Sequence, residues 1–398
     1  SMGVELLKIP AKLAPSGNPM NFKVRAGNYA ISGHRLTAQI QIETVPDSGI
    51  FHALPVMNLD PDETGVADLD VSTIIHRRMQ TELPAFEDSR VTRLLKSTLR
   101  YKVLFSEYYG NQSAMKETSI LTAMKCRLNF YNYPLETIED YIIQGKNYLS
   151  HRPETIDTHP GEIHYLVVLT LFPDTYTTKL SARYSDGTEN TIDLHTFTSV
   201  TEYNVFAIPS GLKHLNLAKT GISLVSYTIW VENSSHEIAF KKITFNVFPG
   251  NPANRCFLFG NLLGGIDTII TEYQSDSLKV EREAFQKYLP MDYKANSYNI
   301  TTFVSGYTNI FEASTGYISR KLAEVCKEMA ISETVFLVGK KSFIAINIDK
   351  GTFDIANDKE DLQSFTFKYS PAFEKDLIFL SVGASESYSD NDYNEDYD

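Results

Sequence analysis

Apolar and polar residues alternate with a period of two along LTAQIQIET (36–44), KCRLNFY (125–131) and, less regularly, IHYLVVLTLF (163–172). Such runs place every second side chain on one face of a pleated backbone, so each is expected as a strand. In KLSARYSDGTENTIDL two alternating runs flank Asp186 and Gly187, a pair suited to the positive φ of a tight hairpin turn. Further strands are expected at 222–232 and 236–248, joined by the polar turn ENSSHE.

Two segments change to a helical period. In DLDVSTIIHRRM, Asp70 or Ser72 can cap a short helix that buries Ile74, Ile75 and Met79. In STGYISRKLAEVCKEMA, Ile318, Leu322, Val325 and Met329 fall on one helix face. TVFLV, a GKK turn, SFIAINI and DLQSFTFKY follow, so this helix is expected to pack on a sheet.

The fold class is therefore mainly β with a minor α+β part: two β-sandwich or barrel-like domains followed by a smaller helix-plus-hairpin domain. The expected boundaries are an extended lead-in over 1–19, a sandwich or barrel with a short helix over 20–140, an immunoglobulin- or fibronectin-like sandwich over 150–250, and an α+β domain over 255–383. Residues 384–398 form an acidic tail, expected to be disordered because it has too little apolar surface to offset its ordering entropy.

Composition sharpens this picture. The 398 residues include 23 Tyr and 23 Phe against 1 Trp, a balance that favours pleated faces. Formal charge is 37 − 49 = −12, and six of the acids lie between Glu386 and Asp398, with no basic residue among them. An acidic body without a Lys/Arg stripe repels phosphate backbones, so no sequence-specific nucleic-acid partner is expected. Cys126, Cys256 and Cys326 form no CxxC pair and are expected as buried, reduced thiols. No apolar run reaches the roughly 18 residues of a membrane span, and the first residues lack a signal-peptide pattern. Synthesis in the bacterial cytoplasm is the expectation.

Four stretches invite chemistry. GNLLGG lacks the GxGxxG spacing, and no Lys-Ser/Thr follows it, so it is not expected to cradle phosphate. Gly264 and Gly265 are instead expected to take positive φ in a turn between CFLF and IDTIITEY, with Asp267 bonding nearby amides. Asp60, Asp62, Thr64, Gly65 and Asp68 fall at calcium-loop positions, but Val71 stands where a bidentate Glu is needed. An acidic turn before the helix is the better reading. His151, His159 and His164, with Asp157 and Glu162, match no common zinc spacing and are read as a solvated, proline-interrupted loop. Ser210-x-x-Lys213 and Lys219-Thr220-Gly221 lie too close together to build a penicillin-binding-type site. No catalytic, cofactor-binding or metal residue is assigned, and no enzyme is expected.

The segment Asn261-Leu262-Leu263-Gly264-Gly265-Ile266-Asp267-Thr268 resembles an N-x-L-G-G-x-D-T junction of phage and prophage tail-type structural proteins found in Bacteroidota. APSGNPMNFKV (14–24), GVADLDVSTII (65–75), SETVFLVGKKSFIAINI (332–348) and DLQSFTFKYSPAF (361–373) look like parts of the same type of chain. The resemblance covers most of the sequence. It implies structural modules of a tail, baseplate or adaptor ring in a virion, with other tail or baseplate proteins and copies of this chain in a homo-oligomer as partners. It marks Asn261, Gly264, Gly265, Asp267 and Thr268 as a structural junction. The alternative is a carbohydrate- or receptor-binding adhesin-like protein whose tyrosines stack a host surface glycan. A glycan hydrolase would further require two carboxylates in one cleft.

Overall fold

Most expected strand runs are matched by strands in the computed structural model, which describes residues 3–133, 135–351, 353 and 362–372. KCRLNFY (125–131) is the exception: the strand ends at Met124, and the chain beyond it is held by single contacts such as Leu128 N–H to Asn18 Oδ1 instead of by a ladder. Among these residues the fold is mainly β, with twenty-five strands against three α-helices and one 3-10 turn. The acidic tail at 384–398 lies outside the described residues, as does the end of the expected α+β block at 373–383. The chain divides into two compact units: Ser1–Phe248 with Gly260–Asp267, and Pro249–Phe259 with the residues from Thr268 onward.

The first unit begins with the alternating run Arg35–Glu43, which pairs antiparallel with Thr98–Tyr109 (Ala38↔Phe105, Ile40↔Val103). Its inward residues Ala38, Ile40 and Ile42 join Phe22, Val24, Tyr101 and Phe105 in one core. Phe22 and Phe105 meet there at 5.7 Å between ring centroids. The short helix is Ser72–His76 and buries Ile75 in the same core. Val71 is its N-cap and offers no side-chain bond. Asp70 Oδ1 accepts from the Ser72 amide at 2.9 Å and the Met20 amide at 3.0 Å, tying the helix start to the neighbouring strand.

The Asp-Gly hairpin forms where its turn chemistry requires. Asp174–Tyr184 and Glu189–Ser199 run antiparallel with Arg183 opposite Glu189. Asp186 Oδ1 accepts from the Thr188 amide at 2.9 Å, and Gly187 takes φ 83°. These strands belong to a sheet ordered Thr155–Thr158, Ile238–Val247, Leu224–Glu232, Asp174–Tyr184, Glu189–Ser199. A second sheet holds Tyr165–Thr170, Asn204–Pro209 and Thr92–Arg93. Phe197 from the first and Phe206 from the second lie 4.8 Å apart, as in a β-sandwich core. Thr92–Arg93 comes from the 20–140 stretch yet pairs with Asn204–Pro209 (Phe206↔Arg93), and Leu94 N–H donates to Val205 O at 2.8 Å. The two sequence blocks thus share a sheet inside one unit.

A seven-stranded sheet is ordered Ile266–Thr271, Arg255–Gly260, Val335–Val338, Phe343–Ile348, Gln363–Pro371, Ile300–Ile318, Tyr273–Gln286. The helix Arg320–Ile331 starts at Ser319, whose Oγ accepts from the Leu322 amide at 3.3 Å. Val325, Cys326 and Met329 pack with Phe257, Phe259, Phe365 and Phe367, while Ile318 and Leu322 lie half-buried against that cluster. The helix therefore covers the sheet with the face its period defines.

Candidate functional site

The turn at 261–267 is the most heavily bonded of the stretches singled out by sequence. Asn261 Oδ1 accepts from the amides of Leu263 (3.0 Å) and Gly265 (2.8 Å), which closes the turn from inside. Its Nδ2 donates to Leu149 O at 2.7 Å and to Asp267 Oδ2 at 2.9 Å. Of the expected bonds from Asp267 to nearby amides, the one seen is from the side-chain amide of Asn261. Asp267 also accepts from Ser150 Oγ at 2.6 Å and from Arg152 Nε at 3.0 Å. The Leu263 and Gly265 backbone amides are held by the Asn261 side-chain carbonyl.

The two glycines are required for different reasons. Gly264 takes φ +87°, and a Cβ there would stand 2.6 Å from Lys125 O. Gly265 does not take positive φ, which corrects the expectation. A Cβ on it would stand 2.1 Å from Leu149 O, so its need is for close backbone approach. Arg127 N–H donates to Leu262 O at 2.7 Å. The turn is thereby fastened to residues 125–127 on one side and 149–152 on the other. Thr268, the last junction residue, is half-buried on the outgoing strand Ile266–Thr271.

Beside this turn lies a cleft of about 740 Å³, lined by Gly17, Asn18, Pro19, Arg127, Leu128, Asn129, Phe130, Asn132, Glu136, Thr137, Tyr141, His151, Leu262 and Leu263. Asn18 is buried and fixes one wall, exchanging bonds with the Leu128 backbone at 2.8 and 3.1 Å. Thr137 and Asp140 form a capping box that starts the helix Ile138–Gly145 and holds Tyr141 at the cleft. Phe130 is largely exposed. The cleft was not legible as a site in the sequence, although two stretches carrying the resemblance, around Gly17-Asn18-Pro19 and Leu262-Leu263, border it.

The histidine segment is not the solvated loop that sequence suggested. Glu162 is 1% exposed and His164 2% exposed, and Thr158 is buried beside them. Glu162 contacts His159 Nδ1 at 2.5 Å and His164 Nε2 at 3.2 Å, while Thr158 Oγ1 donates to Glu162 at 3.0 Å. Burial opposes ionisation of Glu162, but the bonds from both histidines outweigh it and hold its pKa below the usual value. Burial pushes the His164 pKa down against its bond with Glu162. The prolines misled because Thr155–Thr158 joins a sheet edge in parallel with Ile238–Val247. His151 stands apart at the cleft, its ring 6.3 Å from that of Tyr141, and Asp157 is exposed.

The remaining candidates resolve as local structure. Asp62 Oδ1 accepts from the Thr64 amide (2.8 Å) and the Val66 amide (3.0 Å), and Gly65 takes φ +78°, so the acidic stretch holding Asp60 and Asp68 is a hydrogen-bonded turn. Lys213 lies over Phe86 and Lys219 over Tyr184, at 5.1 and 4.1 Å. Among the described residues no group of three or more His, Cys, Asp or Glu is arranged to hold a metal ion. No helix among them is long and apolar enough to cross a membrane.

In the second unit, Tyr273–Gln286 and Ile300–Ile318 pair along their length as a hairpin. Gln363–Pro371 supports only Phe311–Ile318 of it. From Leu278↔Asn309 to Gln286↔Ile300 the two strands continue as a ribbon that pairs with no third strand among the described residues. Eight residue steps at about 3.4 Å make it roughly 27 Å long before the tip. Leu278, Val280, Phe285, Ile300, Phe303 and Val304 are exposed along it, and Tyr288 and Met291 at the tip are fully exposed. The sequence reading did not find this ribbon. Its signal was two alternating runs too far apart to look like a hairpin.

No known family model matches the chain, and no curated protein sequence matches it. Among solved structures, the crystal structure of the periplasmic chaperone SfaE aligns over 62% of this chain and 100% of its own, at 10% identity and a TM-score of 0.18. A score that low carries no argument about fold or function.

Proposed function

We propose that this protein is a non-enzymatic structural component of a phage or prophage tail, baseplate or adaptor assembly, acting through protein–protein contacts. The observation that carries the reading is the ribbon: a two-stranded hairpin with wet apolar side chains is marginal in water by itself. Exposed apolar patches of this kind mark surfaces that another protein covers. The resemblance of Asn261–Thr268 and its companion segments supplies the assembly class. The acidic charge, −12 overall, also suits a surface past which nucleic acid slides without being held.

The test is electron microscopy and light scattering on the full chain, alone and with proteins encoded beside it. Rings or co-assemblies with those neighbours are the expected result. A strict monomer that ignores them and binds a defined glycan tightly would replace this reading with the adhesin.

A further inference from the structure

We propose that Glu162, with His159, His164 and Thr158, is an acid-sensitive latch. It holds the edge strand Thr155–Thr158 in its sheet, and protonation of the cluster releases that strand while the rest of the sheet stays folded. The latch belongs to the first unit and stands whether or not the chain is part of a tail assembly.

The strand is held weakly along its length and tightly at one end. It is four residues long, lies at the edge of its sheet, and pairs in parallel with Ile238–Val247 (Thr155↔Thr244, Thr158↔Val247). Parallel pairing is slightly less stable per residue than antiparallel, and short, poorly supported segments open at lower cost than the core. Before its first residue, Glu154 meets Lys241 at 3.0 Å in an ion pair open to water, which contributes little. At its last residue, Thr158 Oγ1 donates to Glu162 at 3.0 Å, and the turn through Gly161, at φ 81°, folds Glu162 back onto the strand.

Three donors converge on this one carboxylate: the Thr158 hydroxyl, His159 Nδ1 at 2.5 Å and His164 Nε2 at 3.2 Å. An ionised carboxylate accepts from all three. A protonated one carries an O–H of its own and adds a fourth donor to the cluster. His164 is 2% exposed, so its cation is costly there, and the charge of Arg152 opposes it further. The other sides bring no second acid. Ser210 N–H donates to His164 O, and Lys213 N–H to Glu162 O, while the Lys213 ammonium lies over Phe86. The Tyr227 hydroxyl donates to Ser210 O, and burial pushes its pKa well up. Phe245 packs edge-on to the His164 ring at 5.4 Å, and Asp157 is exposed.

In the closed cluster His164 and Glu162 both titrate below their ordinary values, near 6.5 and 4.5, to which an opened strand returns them. Opening therefore takes up one proton below about 6.5 and a second below about 4.5, and acid favours it about tenfold per pH unit for each proton. Release bares the Ile238–Val247 edge. The Thr244 and Phe248 amides, which donate to Glu154 O at 2.8 Å and Thr158 O at 2.9 Å, are then open to strand addition.

The experiment is hydrogen exchange on the full chain, resolved by residue with NMR from about pH 7.5 to about pH 4, each rate divided by its intrinsic value at that pH. Protection at Thr244 and Phe248 is expected to be constant above about pH 6.5 and to fall about tenfold per unit below it. Amides between Asp174–Tyr184 and Leu224–Glu232 should keep theirs. Glu162→Gln removes the charge and adds donors, so Thr244 and Phe248 should be about tenfold less protected already at neutral pH. Circular dichroism checks that the variant is folded, and the wild-type series decides alone if it is not. Protection at Thr244 and Phe248 that ignores pH, a loss spread equally over the whole sheet, or a folded Glu162→Gln protected like wild type would each overturn the proposal.

Discussion

The Arg152 guanidinium reaches the Asp267 carboxylate at 2.8 Å, with side-chain exposures of 7% and 1%. Arg152 Nη2 also donates to Tyr165 O and Ile266 O, both at 2.9 Å. One side chain thus ties the junction turn to the strand Tyr165–Thr170.

Removing one partner of so dry a pair leaves a buried charge uncompensated. Arg152→Met is expected to destabilise the protein by about 3–5 kcal/mol. Adding Asp267→Asn should recover part of that loss by neutralising the stranded carboxylate. Urea denaturation followed by tyrosine fluorescence reads both, and equal stability of Arg152→Met and wild type would remove the junction from the account.

Three glycines separate backbone conformation from crowding. Gly187 has φ +83° and open space around it, so Gly187→Ala should lose about 1 kcal/mol from conformation alone. Gly264→Ala meets the same strain and the Lys125 carbonyl, and should lose more, about 2–3 kcal/mol. Gly265→Val has no conformational strain but drives a side chain into Leu149 O, with a loss of about 1–3 kcal/mol. Melting temperatures ranking Gly187→Ala below the other two in stability would contradict this division.

The Glu162 and His164 shifts act in one direction with pH. His164 has a folded pKa below its ordinary value near 6.5, so the unfolded chain protonates first and stability falls as pH drops below about 6.5. Glu162 has a folded pKa below its ordinary value near 4.5, so a second loss begins below about 4.5. Denaturation midpoints measured from about pH 8 to about pH 4 should decline on acidification. Glu162→Gln should remove the lower of the two losses, and a midpoint that rises on acidification would refute the pairing.

All three thiols are buried and unpaired with one another. Burial pushes Cys126 and Cys326 up to about 12, leaving almost no thiolate near neutral pH. The native protein is expected to be silent toward Ellman's reagent and to release the full thiol signal on unfolding. Rapid labelling of the native chain would show that one of the three sites opens.

Sequence located elements well where the signal was local. The Asp186-Gly187 hairpin, the strands beside ENSSHE and the helix carrying Val325 and Met329 depend on residues within one or two turns of each other, so period and turn chemistry were enough. It misread what depends on distant partners. His159, Glu162 and His164 looked like a polar linker because nothing local shows that Thr155–Thr158 joins a sheet with Ile238–Val247. Gly265 looked like a conformational glycine because the carbonyl of Leu149, more than a hundred residues away, cannot be seen from the turn.

The sequence by itself determined a mainly β chain, the hairpins at Asp186-Gly187 and at ENSSHE, the helix that covers the last sheet, and the position of the 261–268 turn, since each follows from side-chain periodicity and backbone preference. The tertiary structure alone decided that Asn261 closes that turn, that Arg152 and Asp267 meet, that a cleft opens beside them, and that Leu278–Gln286 leaves the sheet as a ribbon. Those outcomes depend on which distant groups share a dry space and how far each strand runs past its neighbours, and chain order does not encode either until the strands have paired.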